Sequence, residues 1–141
     1  MGILPKQSSP DDAIPAMVKS VLIADDNAFV RQSLRELFDR EEDFEVCGEA
    51  ENGREAIEKA QELHPDLILL DLSMPVMNGL HAARALKRVT PEMPIIMFSA
   101  YGNSFVEKEA RSAGVSALVS KSEPVSVLLG KARNLVYEIA D

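Results

Sequence analysis

The stretch PDLILLDLSMPVMNGL, residues 65–80, decides the reading of this chain. Leu67-Ile68-Leu69-Leu70 is a short unbroken apolar run between polar neighbours, which predicts a strand buried on both faces of a parallel sheet. Asp71 follows at once, where the chain would leave the sheet. Met74-Pro75-Val76-Met77-Asn78-Gly79 then reads as a loop with two turn signals. Leu80, Ala83 and Leu86 recur at helical spacing to about Val89. Strand, loop and helix in that order form one βα unit.

The unit repeats outward in both directions. Val21-Leu22-Ile23-Ala24 is a second buried-strand signal, followed by Val30, Leu34, Leu37 and Phe38 at helix spacing through about residue 39. Phe44-Glu45-Val46 alternates as an edge strand can. Asn52 is placed to cap the helix whose apolar face is Ala56, Ile57, Ala60 and Leu63, and His64-Pro65 ends it. On the other side, Pro94-Ile95-Ile96-Met97-Phe98 is a strand. Val106, Ala110 and Ala113 mark a weaker helix closed by Gly114. Ala117-Leu118-Val119 is the fifth strand, and Leu128, Leu129, Ala132, Leu135, Val136 and Ile139 mark the last helix. Five βα units predict a doubly wound parallel sheet with helices on both faces.

Composition agrees. The chain has 141 residues, long enough to bury a core as one domain, and its hydrophobic share of 46% excludes a disordered chain. No apolar run approaches the length that spans a bilayer, and the N-terminus lacks the basic and apolar regions of a secretory signal. One cysteine, Cys47, rules out a disulfide within the chain and favours a cytoplasmic setting. In its context, Cys47 reads as a packing residue rather than a nucleophile. The net charge of −8 argues against nucleic-acid binding by this chain. Residues 1–20, with Pro5, Pro10 and Pro15, read as a flexible arm, with room for a helical turn near Ile14–Lys19. Residues 21–141 read as the folded domain.

Open sheets of this kind bind ligands beyond the carboxyl ends of their strands. At those ends stand Asp25 and Asp26, Asp71, Ser99, and, one residue beyond the fifth strand, Lys121. Taken singly, each has a plain explanation: an acidic pair that caps a helix, an Asp at a strand end, a turn serine, a solvated lysine. Together they bring three carboxylates, a hydroxyl and an ammonium to one edge. Clustered carboxylates repel unless a cation sits among them, and Mg²⁺ suits few carboxylates, waters and a phosphate oxygen. A carboxylate beside such a metal can attack phosphorus, and Ser99 and Lys121 could bind the phosphoryl oxygens.

The segments VLIADDN, PDLILLDLSMPVMNGL, PIIMFSA and ALVSKSEP resemble the receiver domains of two-component response regulators, from Val21 to about Ile139. The KSEP wording is most similar to the subclass that often carries a C-terminal helix-turn-helix. The resemblance implies a flavodoxin-like (βα)5 fold with strand order 2-1-3-4-5. It implies Asp71 as phosphoacceptor, Asp26 and Asp71 as direct Mg²⁺ ligands, Asp25 through water, and the backbone carbonyl of Ser73. Ser99 would be the switch hydroxyl and Lys121 the phosphate partner. The implied partners are a sensor histidine kinase or phosphotransfer protein and a downstream protein or output domain, with a phosphorylation-dependent homodimer left open. The implied role is a switch that catalyses only its own phosphorylation and dephosphorylation. The mobile face would be the fourth helix, fifth strand and fifth helix.

Three positions depart from the family pattern. Leu118 stands where an aromatic is common, so an aromatic rotamer switch would be absent or altered. Ser122 follows Lys121 where Pro is usual, which predicts a trans, more mobile loop. Ser73 and Tyr101 border the path of attacking water, and Tyr101 is expected to prolong the life of the phosphoryl group. Among rivals, a haloacid-dehalogenase-type hydrolase would need an Asp at position 73, and a flavin or nucleotide module would need a phosphate loop where Asp25-Asp26-Asn27 stands. A phosphorylation-independent interaction scaffold is the remaining alternative.

Overall fold

A computed structural model describes residues 17–100 and 104–137. The strands are β1 (Lys19–Ala24), β2 (Phe44–Ala50), β3 (Leu67–Asp71), β4 (Ile95–Ser99) and β5 (Ala117–Ser120). They alternate with α1 (Ala28–Asp39), α2 (Gly53–Leu63), α3 (Gly79–Val89), α4 (Ser104–Ser112) and α5 (Val125–Tyr137). All strand pairs are parallel, in the order β2-β1-β3-β4-β5, as expected.

The two-residue period of each strand sorts its side chains into two cores. Val21, Ile23, Leu67, Leu69 and Ile96 point to one face, where they meet Leu34 and Phe38 of α1 and Leu128, Leu129 and Ala132 of α5. Leu22, Ala24, Ile68, Leu70, Ile95 and Met97 point to the other and meet small residues of α2, α3 and α4. Small residues let these helices lie close to the sheet: Ala56 and Ala60 on α2, Ala82 and Ala83 on α3. Every residue of β3 is buried, which is why its run carries no polar alternation.

The structure corrects the sequence reading at two strands. β1 begins at Lys19, inside the stretch read as an arm, because Lys19 and Ser20 are polar yet hydrogen-bonded. The Lys19 amide donates to the Asp43 carbonyl at 3.1 Å, and the Ser20 amide to Asp66 Oδ2 at 2.9 Å. β2 runs on to Ala50 rather than stopping near Val46. Val21 pairs with Val46 and Leu22 with Gly48, so Cys47 is the extra residue of a bulge that breaks the alternation. Cys47 is half-buried against the core, its thiol donates to the Val21 carbonyl at 3.5 Å, and burial pushes its pKa up. It packs, as expected, and is no thiolate. The arm up to residue 16 and Ile139 lie outside the described residues.

Asparagines start three helices. Asn27, Asn52 and Asn78 each accept from backbone amides of the first turn, supplying partners that the helix cannot. At the other ends, His64 adopts a left-handed conformation after α2, and Gly114, at φ +96°, follows α4. Gly79 is required for a different reason. A Cβ there would collide with the carbonyl oxygen of Asp71 and lie 2.9 Å from Leu72 Cα. Its amide also donates to the Leu72 carbonyl at 2.8 Å, which presses the start of α3 against the end of β3. Gly79→Ala is therefore expected to destabilise the fold by about 1–3 kcal/mol through overpacking, read as a lower denaturant midpoint with unchanged slope.

Candidate functional site

Register brings the expected residues together. Ala24 lies beside Leu70, Asp71 beside Phe98, and Ser99 beside Ser120, so the strand ends form one edge. Two backbone bonds fix its borders: the Asp25 amide donates to the Ala50 carbonyl at 3.0 Å, and the Lys121 amide to the Ser99 carbonyl at 2.8 Å. The Lys121 ammonium lies 3.0 Å from Asp25 Oδ2 and 3.2 Å from Asp71 Oδ1. It also sits over the Phe98 ring, 5.8 Å from the centroid.

Asp25, Asp26 and Asp71 each bring a carboxylate oxygen within 4.8 Å of the others. Their environments differ. Asp25 is 2% exposed and Asp71 7%, whereas Asp26 is exposed. Both Asp25 oxygens are engaged, Oδ1 by the Asn27 amide at 2.9 Å and Oδ2 by Lys121. The acidic pair does not cap α1; Asn27 does, accepting from the amides of Phe29 and Val30 at 2.9 and 3.2 Å. The two acids are thus left for another purpose.

Burial pushes the Asp71 carboxyl above the usual carboxylate range, Asp25 adds to this, and Lys121 opposes it. For Lys121, burial disfavours the charge. The hydrogen bonds and charges of Asp25 and Asp71 outweigh burial and hold the ammonium above the ordinary lysine value. One ammonium among three carboxylates leaves the cluster short of positive charge. Beside it opens a cleft of about 560 Å³ lined by Asp26, Leu72, Ser73, Met74, Pro75 and Asn78. Asp26 joins the cleft to the cluster of three carboxylates, and such an all-oxygen cluster is a donor set that could hold a hard divalent cation.

The other expected residues are placed as follows. Ser99 ends β4 and is 1% exposed. Ser73 is exposed on the cleft wall. Leu118 is partly buried and packs into the core on the α3 side. No cis peptide occurs among the described residues, as expected at Ser122. The loop there is closed by local bonds: Ser120 Oγ lies 2.8 Å from Ser122 Oγ, and the Ser120 amide donates to Glu123 Oε1 at 2.8 Å. Tyr101 lies outside the described residues. The sequence reading missed Arg31 and Glu49. Arg31 Nη1 donates to the Asp25 carbonyl at 2.7 Å, and Arg31 Nε lies 3.0 Å from Glu49 Oε1.

Known proteins align with this geometry. The response regulator receiver domain matches residues 21–133. Chemotaxis protein CheY of Thermotoga maritima is 43% identical over 105 residues, 74% of this chain and 87% of CheY. A protein-glutamate methylesterase/protein-glutamine glutaminase of Methanosarcina acetivorans is 41% identical over 104 residues, 72% of this chain but 30% of that protein. The chain thus spans less than a third of that enzyme's length. The crystal structure of the response regulator domain of Thermotoga maritima CheB superposes with a TM-score of 0.78 at 30% identity, covering 88% of this chain and 99% of that one. A CheX–CheY–BeF3–Mg²⁺ complex from Borrelia burgdorferi superposes at 0.79 with 25% identity, covering 86% and 96%. With the match spanning nearly the whole folded region, and the strand-end acids and lysine gathered on one edge, the chain belongs to the response regulator receiver domain family.

Proposed function

We propose that this chain is a phosphorylation-activated switch of a two-component system, with Asp71 as phosphoacceptor. The observation that carries the reading is the buried Asp71 carboxylate, 3.2 Å from the Lys121 ammonium and clustered with those of Asp25 and Asp26. A carboxylate oxygen of Asp71 attacks the phosphorus of a phosphohistidine on a sensor kinase or phosphotransfer protein. The P–N bond breaks, the imidazole takes the electron pair, and an acyl phosphate forms.

The donor set fits Mg²⁺. Asp26 and Asp71 would hold it, with the Ser73 carbonyl, and Asp25 through water, since both Asp25 oxygens are already engaged. When bound, Mg²⁺ supplies the positive charge that lets an anionic donor approach three carboxylates. Lys121 bonds a phosphoryl oxygen, and the Ser99 hydroxyl turns toward the same group. Support also comes from the similar fold of a CheY held with BeF3 and Mg²⁺.

The added charge of about −1.5 to −2 competes with Asp25 for Lys121 and draws Ser99 inward. Ser99 ends β4, so the pull reaches the chain entering α4. α4 is the natural element to move: it buries only Ala110 within its length and leaves Phe105 69% exposed. Two packings separated by a few kcal/mol suffice for such a switch. The output would be a downstream protein or domain that reads α4, β5 and α5. The setting is the cytoplasm; no helix among the described residues is long and apolar enough to cross a membrane.

Incubation with a small phosphodonor and Mg²⁺, resolved on a phosphate-affinity gel, is expected to shift wild type and not Asp71→Asn, with EDTA abolishing the shift. No shift in wild type would favour a phosphorylation-independent scaffold, and a shift in both would move the acceptor elsewhere. The raised Asp71 pKa gives a second expectation. The unfolded chain ionises Asp71 more readily than the folded one, so the contribution of Asp71 to stability falls as pH rises through about 4 toward neutrality. In EDTA, Asp71→Asn should be the more stable protein at about pH 7 and converge with wild type near about pH 3. Urea melts showing the variant less stable at neutral pH would contradict this.

A further inference from the structure

A second charged network adjoins the carboxylate cluster, and the chemistry above makes no use of it. Glu49, near the end of β2, accepts from Arg31 Nε at 3.0 Å and from Arg35 Nε at 2.6 Å. Its backbone carbonyl accepts from Lys59 Nζ at 2.5 Å. The two arginines are not equivalent. The Arg31 side chain is 12% exposed, that of Arg35 40%. Only Arg31 reaches further, with Nη1 donating to the Asp25 carbonyl at 2.7 Å.

We propose that Arg31, held by Glu49, is a positioning residue that fixes the peptide between Asp25 and Asp26 and so presents Asp26 to the divalent cation. The inference rests on the reading of this cleft as a Mg²⁺ site. A peptide unit is planar, so the direction of the Asp25 carbonyl sets the direction of the Asp26 amide and Cα. The rest of Asp25 is already pinned. Its amide donates to Ala50, and its carboxylate takes the Asn27 amide and Lys121. The carbonyl is the remaining free handle of that residue, and Arg31 holds it. Asp26 is exposed and has no such anchors among the described residues, so its placement depends on the peptide before it.

The geometry needs a guanidinium. Its planar fork sends Nε to a carboxylate and Nη to a carbonyl at once. A lysine ammonium on a flexible stem offers no such fixed pair. Glu49 orients the fork, and Lys59 and Arg35 keep Glu49 in place from the α2 and α1 sides.

Charge and position predict opposite signs here. Arg31 is a cation beside a cation site, so by Coulomb repulsion alone its removal would tighten Mg²⁺ binding. Positioning predicts the reverse, on the scale of residues that orient metal ligands without touching the metal, about 10–100-fold.

The test is Mg²⁺ titration of the full chain followed by backbone amide NMR shifts, with fold integrity checked in the same spectra. Arg31→Ala and Arg31→Lys are expected to weaken Mg²⁺ binding by about tenfold or more, while Arg35→Ala stays within about twofold of wild type. Glu49→Gln, which keeps an acceptor in place and disturbs packing least, should fall between and carries the test if Arg31→Ala does not fold. Arg31 variants that bind Mg²⁺ as tightly as wild type, or more tightly, would overturn the positioning role while leaving the metal site intact. Wild type that does not bind Mg²⁺ would overturn both.

Discussion

The contact of one ammonium with two buried carboxylates organises this molecule. Lys121 touches Asp25 and Asp71 and thereby ties the end of β5 to the ends of β1 and β3. Its positive charge offsets the repulsion between two nearly buried acids set close together. Yet the lysine does not satisfy the cluster, because Asp26 adds a third negative charge within 4.8 Å and faces solvent. The site is thus balanced internally enough to fold, with a cluster of carboxylates that could hold a cation. The sheet makes this arrangement available: parallel strands end on one edge, so a residue appended to each strand arrives at the same place.

Much of this was legible in the sequence, for identifiable reasons. Buried strands such as Leu67–Asp71 carry uninterrupted apolar runs, and the residue after each run falls at the sheet edge by construction. Asp25, Asp71 and Lys121 could therefore be placed together without any knowledge of side-chain contacts. β2 was harder. It is an edge strand with a bulge at Cys47, and a bulge erases the two-residue alternation by which strands are recognised. The start of β1 was hidden similarly, since Lys19 and Ser20 are held by hydrogen bonds rather than apolar burial.

The long-range polar contacts were not legible. Arg31 and Glu49 are 18 positions apart, on a helix and the strand that follows it in the chain. A weak signal existed: an arginine one turn into the helix that follows the acidic pair, and a glutamate at the end of the neighbouring strand. Nothing in the spacing says that the guanidinium turns back to a backbone carbonyl. The cap of α1 was likewise ambiguous, since aspartate and asparagine cap equally well. Asn27 takes that role, and this leaves Asp26 free to line the cleft.

The central claim is that charge at Asp71 is felt at α4. The path is short, from Lys121 and Ser99 at the ends of β5 and β4 to a helix that buries one residue within its length. Amide hydrogen exchange, with and without a small phosphodonor and Mg²⁺, tests it most directly. The account predicts altered exchange across α4, β5 and α5, with α2 unchanged. Identical exchange in those elements, in protein whose Asp71 is phosphorylated, would contradict it.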